Sequence, residues 1–218
     1  MDQKEIKSIA KRTERYWFDD GIWEIGFGLV NMLLAGFYAA ADSINPGSGW
    51  LLLPLQMVVI IGAFLGMRRL ILFLKERITY PRTGYVAYRK PAPAARIKRM
   101  VVSGLVAAAM ALIMAAAASL ELMRNTTALV ASIMLAGALV YIGYRFNLTR
   151  SYIQAGLTIG IGFIFSLLSL PDMQITAGFF AAFGLLLVIS GLATLAVYLA
   201  RSRSDRESAS EPDEEPKE

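Results

Sequence analysis

Four amide or carboxylate side chains, Glu24, Asn31, Gln56 and Gln154, interrupt long apolar runs in this sequence. A polar group in hydrocarbon is costly unless it finds a partner. Such residues therefore mark ion pairs, interhelical hydrogen bonds, proton relays or ligand sites. Glu24 is the single acidic residue inside an expected membrane crossing. It could lock a salt bridge, carry a proton or hold a cationic substrate. Counting from the tip of the first hairpin places it level with residues 66–69 of the next run, so an ion pair with Arg68 or Arg69 is expected. Asn31 falls near mid-membrane, and Gln56 falls within about a turn of its level. An interhelical amide hydrogen bond of that kind contributes about 1 kcal/mol. The three side chains of the first two runs would also suit a polar permeation path, provided they face one cavity. Gln154 occupies the corresponding place in a later run, where packing is the simplest role.

Several chemistries are excluded at this level. The chain has no cysteine and no histidine, which removes thiol chemistry and the commonest general base and metal ligand. There is no nucleophile elbow, no Walker A loop, no HExxH and no pair of intramembrane aspartates. Asp19-Asp20-Gly21 lacks the further spaced aspartates of a metal-dependent headgroup transferase. No catalytic residue, metal site or cofactor is assigned, and a non-enzymatic protein is expected. The formal charge of +5 is not read as a nucleic-acid signal, because the basic residues flank apolar runs, where topology and anionic lipid explain them.

The elements that must position these residues follow from composition. The chain has 218 residues and is 56% hydrophobic, with a mean hydropathy of +0.51, too apolar for an ordinary soluble domain. Its apolar residues form blocks near the ~20 residues that cross a bilayer as helix. The expected fold is all-α: an integral membrane bundle of six transmembrane helices with an N-terminal interfacial amphipathic helix.

Residues 1–20 form the interfacial element. Ile6, Ile9, Ala10, Thr13, Tyr16 and Trp17 share one helical face, opposite Lys4, Lys7, Lys11 and Arg15, the pattern of a helix lying among headgroups. This stretch has no apolar core of the kind a cleaved signal peptide needs. Residues 21–67 hold crossings one and two, 21–41 and 50–67, with Asp19, Asp20 and Glu24 favouring the positive end of the first helix dipole. The second helix is expected to run on through residues 68–77. Residues 98–200 hold four more crossings: 98–119, 128–144, 152–170 and 175–200. Gly62-x-x-x-Gly66 and Gly156-x-x-x-Gly160 would permit close helix approach, and Pro54 could kink the second helix. Residues 201–218 read as a disordered cytoplasmic tail.

Residues 68–97 form a basic cytoplasmic connection with its own chemistry. The stretch 68–100 carries ten of the 22 Lys and Arg. Ile78 to Tyr80 and Tyr85 to Tyr88 are β-prone around the turn-forming Pro81-Arg82-Thr83-Gly84. Tyr80, Arg82, Tyr85, Tyr88, Arg89 and Lys90 can touch lipid headgroups or a protein partner. Tyrosine and arginine around a rigid turn are the types enriched at binding hot spots.

With both termini inside and six crossings, 21 of the 22 basic residues fall on the cytoplasmic side, leaving Arg124 outside. The bias fits the positive-inside rule and a multi-pass protein of a prokaryotic plasma membrane. The segments from Arg15 and from Arg145 align without gaps, matching Glu24 with Gln154 and Gly26 with Gly156, which suggests a parallel internal repeat. The expected partners are the bilayer with its anionic headgroups, and a protein or a second copy of the chain. The leading function is a non-enzymatic membrane component docking a partner through its basic connection. A small transporter or channel subunit using helices 1 and 2 is the first alternative. A lipid-modifying enzyme, which would need a polar cleft near Glu24, is the second.

Overall fold

A computed structural model describes residues 18–43, 49–79, 101 and 126–210, and among them the chain is helical with no strand. Helix α1 is Ile22–Ser43, and α2 is Gly49–Leu74, continued by a π-helical turn over Lys75–Thr79. Helix α3 is Thr127–Phe146, α4 is Thr149–Ser166 and α5 is Asp172–Ser210. Four of them, in α1, α2, α3 and α5, are long and apolar enough to cross a membrane. They coincide with crossings one, two, four and six. Helix α4 stands at the place of crossing five but is not among the four. Its 18 residues include Arg150, Ser151, Gln154 and Thr158, which dilute its apolar character. The amphipathic helix up to Trp17, crossing three apart from Val101, the connection residues Tyr80, Arg82, Tyr85, Tyr88, Arg89 and Lys90, and the tip of the tail lie outside the described residues.

The closest packing joins α1 to α5, which run antiparallel. Gly21 and Gly28, seven residues apart, face Gly191 and Gly184, also seven apart. A Cβ on Gly28 would meet the Gly184 carbonyl oxygen at 2.6 Å, and one on Gly184 would meet the Gly28 oxygen at 2.7 Å. At Gly21 a Cβ would stand 2.5 Å from the Gly191 oxygen. Gly21 also has φ +71°, a left-handed conformation that glycine adopts without steric cost. Close approach of this kind substitutes van der Waals contact for the hydrophobic drive that lipid does not supply. A second tight contact joins α3 to α4, where Gly162 makes room for Ser132. The core between these pairs holds Phe179, Phe183 and Leu187 of α5 with Ala128, Ala136 and Leu139 of α3 and Ala155 of α4.

Four expectations are corrected. Gly62, Gly66, Gly156 and Gly160 have open space where a Cβ would go, so neither GxxxG pattern makes a close contact among the described residues. Helix α5 continues to Ser210, past the start of the expected disordered tail at Arg201, because adding residues to a formed helix is far easier than nucleating one. Ile78 and Thr79 complete a π turn rather than opening a strand. The polar turn expected over residues 145–150 shrinks to Asn147 and Leu148: Asn147 takes a left-handed φ of 55° and ends α3, and the Leu148 N–H donates to the Gly143 carbonyl at 3.0 Å. Thr149 and Arg150 already belong to α4.

Candidate functional site

The starts of α1 and α4, the end of α2 and the stretch of α5 from Ser190 to Arg201 meet at one end of the bundle, and its buried charges collect there. Asp20 precedes α1, and its carboxylate works in two directions. Oδ1 accepts from the Ile22 N–H at 3.2 Å, satisfying one of the donors a helix start leaves open, and Oδ2 accepts from Lys75 Nζ at 2.5 Å. Both side chains are fully buried, at 1% and 2% exposure. The lysine belongs to the π turn that ends the α2 rod. The pair therefore ties the beginning of α1 to the point from which the basic connection leaves.

One turn further into α1, Glu24 is buried as well, and it reaches away from α2. Its Oε1 lies 2.6 Å from Arg150 Nε, although that N–H is not aligned as a hydrogen bond. Ser190 Oγ donates to Oε2 at 3.2 Å, and Gln154 Nε2 donates to Ser190 Oγ at 2.8 Å. The Gln154 amide also reaches the Glu24 carboxylate. Arg150 Nη2 donates to the Phe18 carbonyl, and the Phe18 ring packs on Phe146 at 4.5 Å and on Trp23 at 5.5 Å. Glu24, Arg150, Gln154 and Ser190 are thus one network spanning α1, α4 and α5, with each member held by another. Networks of this type specify one arrangement when they are satisfied.

The expected partners of Glu24 are therefore replaced. Arg68 and Arg69 point outward and are exposed. The registry of the hairpin explains why. Gly26 packs on Met67 and Ile71, Gln56 meets Tyr38 and Asp20 meets Lys75. Glu24 is thus level with the buried Ile71, about a turn beyond the level obtained by counting from the hairpin tip, and on another face of α1.

Asn31 and Gln56 do not meet. Asn31 is buried and donates from Nδ2 to the Phe27 carbonyl of its own helix at 2.7 Å. Gln56 does cross between helices, but to the Tyr38 hydroxyl, 2.7 Å away. Tyr38 is seven residues beyond Asn31, about 10 Å along a helix. Gln154 is buried in the Glu24 network. The three polar residues of α1 and α2 accordingly rest against three separate neighbours.

Sequence reasoning misses four members of this end: Asp20 as an ion-pair partner, Lys75, Arg150 and Ser190. By sequence alone, Arg150 is only a topology charge. One sequence signal does point to it: the alignment that matches Glu24 with Gln154, since Arg150 lies one helical turn before Gln154 and shares its face.

Beside the network, an open cleft of about 600 Å³ lies between the first turn of α4 and one stripe of α5. Asp19, Thr149, Arg150, Thr194, Tyr198 and Arg201 give it polar walls, and Leu148, Ala193 and Val197 give it apolar ones. No group of three or more carboxylates able to hold a metal ion occurs among the described residues. No family model, curated protein or solved structure matches this chain.

Proposed function

We propose that this is a polytopic membrane component without a reaction of its own, whose charged end holds the basic connection in place for a partner to dock on. The observation that carries the reading is the Asp20–Lys75 pair. It fastens the helix end immediately before residues 80–100 to the start of α1, at full burial and 2.5 Å. A segment rooted on a fixed stem loses less entropy on binding than one on a free stem. In this reading the bundle has six crossings in a prokaryotic plasma membrane, and both termini are cytoplasmic. The N-terminal amphipathic helix lies on the same face as the connection, and Tyr80, Arg82, Tyr85, Tyr88, Arg89 and Lys90 supply the contacts.

Transport through Glu24, Asn31 and Gln56 is the weaker reading, because it needs the three to share one wet cavity and they have separate partners. The open cleft beside Arg150 favours a role involving lipid. Glu24 is a poor base for lipid chemistry there, because its two oxygens are occupied by Arg150 and Ser190.

The docking reading is tested by native mass spectrometry of the full chain extracted from its own membrane in mild detergent. A stoichiometric protein partner should be present, and it should disappear with Arg82→Glu plus Arg89→Glu while the protein stays monodisperse. A partner that survives both reversals would remove the connection as the docking surface.

A further inference from the structure

The chain leaves α2 at one end of the bundle and enters α3 at the other. The Asp20–Lys75 pair fixes the end of α2 beside the start of α1. Helix α3 ends there too, where Phe146 meets Phe18 at 4.5 Å. Its start lies at the opposite end, where Ala128 and Ser132 pack on Gly162 near the end of α4. A 20-residue helix separates the two levels, which is about 30 Å. Helices α2 and α3 are both long and apolar enough to span a membrane, so residues 80–126 must cross between the same two levels. Only residues 101–120 form an uncharged stretch long enough for that, about the length of one helical crossing.

A groove with an aromatic floor runs between these levels. Trp23, Phe27, Leu34 and Tyr38 share one face of α1, and all four are half-buried. Toward α3 the row of rings continues from Trp23 through Phe18 to Phe146, and toward α2 Phe27 meets Phe64 at 6.4 Å. Farther along, Tyr38 stacks on Phe180 of α5 and accepts the Gln56 hydrogen bond. Helix α2 packs on α1 and α3 packs on α4, with no packed interface between α2 and α3 among the described residues. Phe64, 45% exposed, stands at the groove's edge. We infer that residues 98–119 occupy this groove as crossing three, packed on the aromatic stripe of α1 between Phe64 of α2 and helix α3. Both ends fit. The segment begins on the side where α2 stops, and the link over residues 120–126 is short enough to keep it beside α3 as an antiparallel neighbour. Its eight alanines between residues 107 and 118 suit close approach to a floor of rings. The inference rests on the six-crossing part of the reading above and extends it. The basic connection becomes a loop held at both ends, at Thr79 and at residue 98, with anchors about 10 Å apart, the spacing of packed helices. A loop closed in that way has less freedom to lose when a partner docks.

The chain has no cysteine, so disulfide pairing can be read on the full chain in its own membrane. Phe64→Cys is combined with a cysteine at each of residues 102–112 in turn and oxidised with copper phenanthroline. Disulfides within one chain should form at positions three or four residues apart and not at those between. Gly62→Cys, about 200° round the helix from Phe64, should form none with the same positions. A second measurement needs no cysteine. With Trp17→Phe and Trp50→Phe, Trp23 is the one tryptophan left, and brominated lipid should quench it far less than it quenches the Leu72→Trp variant of a Trp23→Phe chain. Leu72 is 37% exposed and is level with Trp23 by the Asp20–Lys75 pair. Disulfides between two chains would give the groove to a second copy and overturn the inference. So would pairing from Gly62→Cys equal to that from Phe64→Cys, no disulfide at any position, or equal quenching of the two tryptophans. None of these outcomes alters the capture of a partner by the connection, which is read separately on Arg82→Glu plus Arg89→Glu.

Discussion

The seam between α1 and α5 and the outer face of α2 are both marked by paired glycines, and they behave oppositely. In the seam, Gly21, Gly28, Gly184 and Gly191 stand where the neighbouring backbone would lie within 3 Å of an added Cβ. On α2, no atom of the described residues stands where a Cβ of Gly62 or Gly66 would go, and exposed Met57, Val58, Ile61 and Leu65 surround them. The difference shows what holds a bundle of this kind together. Lipid solvates leucine and valine as well as protein does, so large apolar side chains give little reason for one helix to seek another. Close backbones and paired polar groups supply that reason, and the α1 start has both. It carries the glycine seam on one side, Asp20–Lys75 on another, and the Glu24 network between α4 and α5.

The sharpest contrast between the two regions is in charge. Asp20→Ala leaves Lys75 buried without its carboxylate, and breaking a buried pair in this way costs about 3–5 kcal/mol. Thermal unfolding in detergent, followed by tryptophan fluorescence, should show a larger drop for this substitution than for any glycine or amide variant below. Asp20→Leu combined with Lys75→Met should recover most of the loss, because the charge and its partner leave together. Arg68→Ala, exposed on the outer side of the same helix, should stay within about 0.5 kcal/mol of the native protein. A large effect at Arg68 would mean that the outer face of α2 carries an ion pair after all.

Glycine gives the next contrast. Gly28→Val and Gly184→Val each push a side chain against the facing backbone as well as against the Val188 or Met32 side chain, at a cost of about 1–3 kcal/mol or more. Gly21→Ala adds the strain of a left-handed residue, about 1–2 kcal/mol, to a similar clash. Gly66→Val on α2 should be close to neutral. If instead it costs as much as Gly28→Val, another helix packs on that face, and the two regions are alike.

How far the sequence reveals this arrangement depends on whether a feature is local. Apolar runs locate the four helices long and apolar enough to cross a membrane, three of them to within about three residues, because length and hydropathy are properties of one segment. Burial of Glu24 is legible for the same reason. Its partner is not, since Arg150 lies 126 residues away and only the adjacent hairpin can be levelled by counting. Even there the level slips to Ile71, two or three residues past Arg69 or Arg68, and Glu24 itself faces Arg150 rather than α2. The glycine seam is written in the sequence as two seven-residue spacings, Gly21 with Gly28 and Gly184 with Gly191. The more familiar four-residue motif occurs instead at places where no close contact is made among the described residues. Asp20 is legible as a helix-start residue, but its second oxygen and Lys75 can be matched only in three dimensions.

The smallest contrast lies within the polar residues of α1 and α2. Gln56 donates a hydrogen bond to Tyr38 across the hairpin, whereas Asn31 is held by its own helix. Interhelical bonds of this type average about 0.6 kcal/mol in double-mutant cycles. Gln56→Leu and Tyr38→Phe should each destabilise by that order, and the double variant should lose no more than either alone, giving a coupling of about 0.5 kcal/mol or more. Asn31→Leu and Gln56→Leu should combine additively, because their partners lie about three turns apart along α1. Coupling between Asn31 and Gln56 in place of Tyr38 would put the two amides at one level, restore the hairpin registry counted from the sequence, and reopen a shared polar path through the first two helices.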